Sequence, residues 1–391
     1  MMRELLDLTR ELADKELRPH ADAAERESRF PRETFALLGR AGLLGLPYPE
    51  RWGGGGQPYE VYLQVIEELS RAWLAVGLGV SVHTLSCLPL AVYGTDEQRD
   101  RRLPEMLGGE LLGAYCLSEP QSGSDAAALA TTAVPATGDG ETARGEGEAG
   151  GGYRIDGVKA WISHAGAADF YTVFARTSGR PEGRDRARGI SCLHVPASTS
   201  GVRAAPAEHK MGMRASVTAQ MIFDGAWVPA GNLLGKKGRG FSIALTALNS
   251  GRLGIAACAT GLAQAALDLA VGYAQERNQF GKPIIEFEGV SFMLADMACA
   301  VEASRALYLA AARRKDAGQE FGPQAAMAKL MASDTAMRVT IDAVQILGGY
   351  GYVEDFPAER YLREAKVLQI VEGTNQIQRL VIARSLAGRS R

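Results

Sequence analysis

The 391-residue chain is 46% hydrophobic and 23% charged, with a formal net charge of −2 and a sequence pI near 6.3. That length calls for two or three subdomains rather than one core, and the near-neutral balance offers no global field for nucleic acid or an anionic membrane. The five cysteines, Cys87, Cys116, Cys192, Cys258 and Cys299, form no CxxC pair, and the five histidines never recur at helical spacing. This disfavours a metal site or a disulfide framework and predicts a reducing, cytoplasmic setting.

The chain opens with MMRELLDLTRELADKEL, an amphipathic helix with Leu5, Leu8 and Leu12 on one face and no signal-peptide character. Apolar residues keep three- and four-residue spacing through 32–41 and 59–74. Residues 72–95 carry no charge, but Gly77, Gly79, Ser81, His83, Thr84, Ser86 and Pro89 make the stretch too polar and broken for lipid. A buried helix kinked near Pro89 is expected, with no membrane insertion. Thr95, followed by Asp96 and Glu97, reads as the N-cap of the next helix.

Short β-type runs follow at 113–117, 153–155, 171–175, 190–195 and 220–223. Residues 138–152 hold seven glycines in fifteen positions and read as a mobile hairpin tip, and 177–188 forms a similar but basic loop. Helical spacing returns over 241–277, 285–318, 322–347 and 375–386, with small residues such as Ala256, Ala257, Ala259 and Ala263 allowing close helix approach. The expected fold is therefore multidomain α+β. A helical domain (1–112) precedes a barrel- or sandwich-like β domain (113–228) and a C-terminal four-helix bundle (229–391).

No GxxxxGK[ST], GxSxG or strand-linked GxGxxG occurs, and GGYG at 348–351 follows a helix, so it reads as a turn. Other polar segments remain. AYCLSEPQSGSD (114–125) runs a strand into a hydroxyl-rich turn, and in KAWIS (159–163) Trp161 and Ser163 should share a strand face. NSGR (249–252) sets a glycine inside a helix, at a cost of about 1 kcal/mol that suggests close approach of another group. ERNQFGKPI (276–284) ends a helix abruptly. QILGG (345–349) precedes IVEGTNQIQR (370–379), where Glu372 stands alone between an apolar run and a helix start. Helix-dipole stabilisation by such an acid is worth only about 0.3–1 kcal/mol.

Taken together, in order and spacing, these segments resemble the acyl-CoA dehydrogenase family along essentially the whole chain. AYCLSEPQSGSD is similar to the family's "TEPGAGSD" strand, KAWISHAGAADF to "KxWITNGxxAD", and KMGMRASVTAQMIFDGAWVPAGNLLG, ERNQFGKPI and IVEGTNQIQR to their counterparts. The resemblance implies FAD-dependent α,β-dehydrogenation of an acyl-CoA thioester in fatty acid metabolism, with Glu372 as the base. It implies that Tyr115, Leu117, Ser118, Trp161, Ile162 and Ser163 hold the isoalloxazine, and that Arg277 and Phe280 reach the flavin of a neighbouring subunit. Gln345, Ile346, Leu347, Gly348 and Gly349, with Thr374, Asn375 and Gln376, would hold the adenine end. Ser124, Asn249, Ser250, Gly251, Arg252 and Gly373 would face the substrate. It further implies a homotetramer, or at least a dimer, with electron-transferring flavoprotein as electron acceptor.

The chain departs from the family pattern at Gln121, Ser163 (for Thr), His164 (for Asn), Asn249 (for Asp) and Val371 (for Tyr). Glu288 stands where Gln is common, and a carboxylate beside phosphate would repel, so that contact is not carried over. An oxidase using O2, a carrier-protein-bound substrate and, with the base intact, a non-redox acyl-CoA binder are the alternatives. Acyl specificity would depend on pocket depth around residues 78–91, and a short or branched chain is preferred.

Overall fold

The computed structural model describes residues 2–137, 151–179 and 183–388, so most of the glycine-rich loop expectation and part of the basic one lie outside the described residues. The chain begins with α1 (Met2–Leu12), a π-helical turn, α2 (Arg18–Glu27) and α3 (Arg32–Arg40). Then come α4 (Tyr59–Ala72), α5 (Leu74–Tyr93) and α6 (Asp96–Leu107). α5 is the uncharged stretch and contains Pro89, and its most apolar window is 83% buried, which makes it a core helix. Thr95 caps α6 in a reciprocal box, its hydroxyl accepting from Gln98 N at 3.2 Å while Gln98 Oε1 accepts from Thr95 N at 2.8 Å.

The central region contributes β1 (Gly113–Cys116), β2 (Thr132–Thr137), β3 (Gly151–Ser163), β4 (Phe170–Arg176), β5 (Ile190–Pro196), β6 (Val202–Ala204), β7 (Thr218–Pro229) and β8 (Leu233–Leu234). They form one sheet in the order β6-β7-β3-β2-β4-β5-β8, with β1 parallel to β4. Leu193 of β5 shares a core with Ile155, Met221 and Phe223 of β3 and β7, so the sheet wraps around its own apolar face. β3 and β7 extend well past the runs expected at 153–155 and 220–223, because glycines and charged residues interrupt their alternation. β2 was not expected at all, and its exposed Thr132 and Val134 alternate with little apolar weight.

The last third holds α7 (Gly240–Glu276), the two-residue strands β9 (Asn278–Gln279) and β10 (Lys282–Pro283), α8 (Glu288–Asp316), α9 (Gly322–Leu347), α10 (Ala358–Leu368) and α11 (Asn375–Leu386). α7 is the hub, packing against α4, α5, α8 and α9. Its buried alanines and glycines let neighbours come close: a Cβ on Gly261 would lie 2.3 Å from the Glu67 carbonyl of α4. α10 is an addition to the expected helices, since its five charged positions hide a narrow apolar face of Tyr361, Ala365 and Leu368.

Two buried imidazoles fasten the start of β1, His83 to α5 and α6 and His164 to the turn that follows β3. His83 Nδ1 accepts from Gly113 N at 3.0 Å while its Nε2 lies 2.9 Å from the Met106 carbonyl, and His164 Nδ1 lies 2.9 Å from the Gly113 carbonyl. Those partners assign the proton to His83 Nε2 and to His164 Nδ1. Burial pushes both rings down, to about 3 and about 4, so they stay neutral at physiological pH.

Candidate active site

α10 ends at Leu368, and the chain turns through residues 369–374 before Thr374 caps α11, its hydroxyl accepting from Ile377 N at 3.3 Å. In that turn Glu372 has φ +52° and Gly373 φ +91°. A left-handed non-glycine residue costs on the order of 1–3 kcal/mol and persists only where its surroundings over-determine it. Here the Gly373 carbonyl accepts from Lys329 Nζ at 3.0 Å and Gln378 Nε2 at 2.7 Å, and Gln378 Nε2 also lies 3.3 Å from the Glu372 carbonyl. Asn375, 3% exposed, binds Lys329 Nζ at 2.9 Å through Oδ1 and donates from Nδ2 to Asp334 at 2.7 Å and Ser333 at 3.0 Å.

This turn drives the Glu372 side chain inward against α7. Both carboxylate oxygens are buried with no hydrogen-bond partner among the described residues, although the residue as a whole is half-buried. A Cβ on Gly251 would stand 1.9 Å from Glu372 Oε2, so the glycine expected to permit close approach permits this one. Beside it Arg252, 6% exposed, donates from Nη1 to Asn249 Oδ1 at 2.8 Å, and its buried Nε has no partner among the described residues. Burial pushes the Glu372 carboxyl up to about 7, against the opposing pull of the Arg252 and Lys329 charges. The same burial pushes the Lys329 ammonium down to about 8.

A cavity of about 250 Å³ opens next to Gly251 between α4, α5 and α7. Leu85, Leu88, Ala91 and Val92 supply its apolar wall, and its polar rim is largely satisfied within the protein. Tyr48 OH donates to the Thr84 carbonyl at 2.5 Å and Tyr59 OH to the Ser250 carbonyl at 3.0 Å. Such a largely apolar slot close to a carboxylate without a partner among the described residues suits an apolar chain bearing an acidic C–H.

The residues expected at the isoalloxazine gather on β1 and β3, though not as a regular strand face. The register of β3 slips between Lys159 and Ile162, and Trp161 takes φ +62°. The bulge leaves the indole 65% exposed with Ser163 half-buried, while Ile162 is 2% exposed in the sheet core. Ile162 can therefore reach a ligand only through its backbone. Tyr115 is half-buried, its hydroxyl donating to the Ala244 carbonyl at 3.3 Å, and Leu117 lies buried before Ser118. A bare indole on a bulge, with hydroxyls beside it, is a cradle that a flat polar heterocycle fits.

Arg277 and Phe280 stand elsewhere. They lie on the β9–β10 hairpin beyond α7, with Phe280 94% exposed at φ +52°. Arg277 is 25 residues past Arg252 along a continuous helix, or about 38 Å at 1.5 Å per residue. Gln345 likewise is 16 residues beyond Lys329 on α9, about 24 Å. Ile346 and Leu347 point into the bundle core and offer only backbone, whereas Gln345, Gly348, Gly349 and Gln376 are exposed, as is Ser124. The Asn375 side chain is engaged by Lys329, Ser333 and Asp334 and braces the Glu372 turn, so Asn375 too offers a cofactor's adenine end only its backbone.

Sequence reasoning missed Lys329, Gln378 and Asp334, because each sits in an ordinary amphipathic helix and meets the turn only in three dimensions. It also missed the buried pair Lys159–Glu119. Lys159 Nζ donates to Glu119 at 2.8 Å and to the Leu117 carbonyl at 3.1 Å, tying the SEP turn to the KAWIS strand. Glu119 in turn accepts from the N–H groups of Ala130 and Thr131. Its signal was a lone lysine in a strand otherwise destined for the core.

The chain matches three family models: "Acyl-CoA dehydrogenase, N-terminal domain" over 2–110, the middle domain over 114–226 and the C-terminal domain over 238–387. It belongs to the acyl-CoA dehydrogenase family. Members of this family are FAD-dependent oxidoreductases. The chain is 46% identical to an acyl-CoA dehydrogenase of Bacillus subtilis (strain 168), over 99% of its own length and 97% of the relative's. It superposes with TM-score 0.92 on butyryl-CoA dehydrogenase from Megasphaera elsdenii, at 37% identity, covering 99% and 98% of the two chains. A chain in the structure reported for the electron transferring flavoprotein of Acidaminococcus fermentans also gives TM-score 0.92, at 41% identity, covering 98% and 97%.

Proposed function

We propose that this acyl-CoA dehydrogenase oxidises a short acyl-CoA thioester to the trans-2-enoyl-CoA, with Glu372 abstracting the α-proton. The observation that carries the assignment is a buried carboxylate with no hydrogen-bond partner among the described residues, seated against Gly251, a glycine that also lines the largely apolar cavity. FAD, when bound by Tyr115, Leu117, Ser118, Trp161 and Ser163, supplies acceptance of the β-hydrogen with its electron pair. Glu372 takes the α-proton onto a carboxylate oxygen, a transfer matched to a group that burial has brought to about 7. The Glu372 N–H donates to no backbone carbonyl among the described residues, so it is available to the thioester carbonyl as negative charge develops there. Leu85 and Leu88 offer the acyl chain an apolar wall, and Arg252 lies beside the base for the polar portion of the thioester.

The cavity of about 250 Å³ supports a short chain, as does similarity to a butyryl-CoA dehydrogenase. Anaerobic addition of butyryl-CoA to the yellow holoprotein should bleach the flavin, and dodecanoyl-CoA should do so far more slowly. Failure of every acyl-CoA to bleach would defeat the reading. Hydrogen peroxide formed in stoichiometric yield on aerobic mixing would identify an oxidase instead. We further infer electron-transferring flavoprotein as acceptor, on the likeness to the Acidaminococcus chain, and a cytoplasmic setting, on five free cysteines.

The separation of about 38 Å between Arg252 and Arg277 along one helix supports a cofactor site completed by a neighbouring subunit. So does the exposure of Phe280 and of Tyr352, the latter 84%. Arg277→Ala is expected to lower FAD occupancy after gel filtration while leaving the far-ultraviolet circular dichroism unchanged. Full flavin retention would count against the shared site.

A further inference from the structure

The Glu372 turn is held by a charged group that its chemistry does not require. Lys329, on α9, is fully buried, and its ammonium has two hydrogen bonds, to the Gly373 carbonyl and to Asn375 Oδ1. A neutral donor already serves the same carbonyl, Gln378 Nε2 at 2.7 Å. A dehydrated ammonium is a costlier brace for a backbone turn than an amide. The positive charge therefore calls for a reason beyond the hydrogen bond, and the nearest candidate is the carboxylate one residue before Gly373.

We infer that Lys329 is a positioning residue for proton abstraction: it fixes the turn that presents the Glu372 carboxylate over Gly251 and supplies the fixed charge that keeps that carboxylate ionised. The inference rests on Glu372 being the base. The titratable and charged groups around the carboxylate are Arg252 and Cys258 of α7, Lys329 and Asp334 of α9, Tyr59 and Tyr62 of α4 and Tyr115 of β1. Cys258, Tyr59, Tyr62 and Tyr115 are pushed well up by burial and remain neutral. Asp334 is occupied by Asn375, Gln369 and Arg379. Among the described residues only Arg252 and Lys329 thus oppose the dehydration of the carboxylate, and Arg252 also lies beside the substrate cavity through its neighbours Ser250 and Gly251. Lys329 is the cation of the two that is committed to the turn in the absence of substrate.

The test is the pH profile of kcat/KM, which reports groups of the free enzyme, for the wild type and Lys329→Met. Loss of a neighbouring positive charge should move the acid limb up by about one pH unit, which is a tenfold loss at pH values below the limb. A brace with no electrostatic role would lower kcat or stability and leave the limb in place, and that result overturns the inference. A cofactor-free readout accompanies it: denaturant unfolding of the apoproteins across pH for wild type, Glu372→Gln, Lys329→Met and the double variant. Glu372→Gln should stabilise the Lys329→Met protein more than the wild type, and the stabilisation should keep growing to a higher pH before it levels off. Equal effects in both backgrounds would also overturn it. If Lys329→Met alone fails to fold, the double variant should recover folding, because the stranded carboxylate is gone. Failure of both would make Lys329 merely structural. Turnover retained by Glu372→Gln would instead remove the base assignment, a different failure from an unmoved limb.

Discussion

Glu372→Gln is expected to yield a folded, yellow protein whose turnover falls by about 10³-fold, within the range for removal of a positioned general base. The amide keeps the shape and the left-handed turn but cannot accept the proton. The same substitution should stabilise the apoprotein, with a pH dependence whose sign is fixed. Burial raises the folded-state carboxyl from its ordinary 4.5 to about 7, so the folded state binds the proton more tightly than the unfolded chain does. Stability from this group is fully present below about 4.5 and is lost as pH rises through about 7. Gln escapes that loss, so the variant should gain nothing at pH 4 and about 3 kcal/mol at pH 8. Steady-state turnover with butyryl-CoA and denaturant midpoints at the two pH values check both halves. A variant that turns over within tenfold of the wild type would strip Glu372 of its role.

Gly251→Ala should separate fold from function more sharply. In a helix interior alanine is better than glycine by about 1 kcal/mol, so propensity alone predicts a stabler protein. Yet the added methyl would lie 1.9 Å from Glu372 Oε2, and the only compliant partner is the far end of that side chain. The helix should therefore survive while the base is pushed from its seat, a displacement expected to cost about 10²-fold in kcat. Flavin occupancy should stay close to wild type, because Gly251 faces the carboxylate. Turnover within a factor of two would mean that the carboxylate leaves this seat before the chemistry.

Gly251 also marks where sequence reasoning succeeded. A glycine inside a strongly helical segment announced a close neighbour, and Thr95 before two acids announced the cap of α6. The long helices of the bundle were legible because their apolar period runs for many turns, and α9 and α11 fell at the expected residues. β2 and α10 were not legible, since one is largely exposed and the other keeps its apolar face narrow between Arg360, Arg363 and Lys366. The regular strand face expected for Trp161 and Ser163 failed because a register slip is a property of two paired strands, and β3 alone does not reveal it. The turn-holding residues failed for a related reason. Lys329, Gln378 and Asp334 earn their places through contacts between α9, α11 and the loop that joins α10 to α11, and no local pattern records such contacts.

The unbroken length of α7 has a consequence for how the protein acquires its colour. One rod carries the berth of the carboxylate near its beginning and the arginine–phenylalanine hairpin just past its end, too far apart to serve a single bound dinucleotide. On the proposed assignment, a solitary chain owns two unmatched halves belonging to different pockets. Pigmentation then becomes a collective trait, gained when chains assemble and surrendered when they are diluted apart.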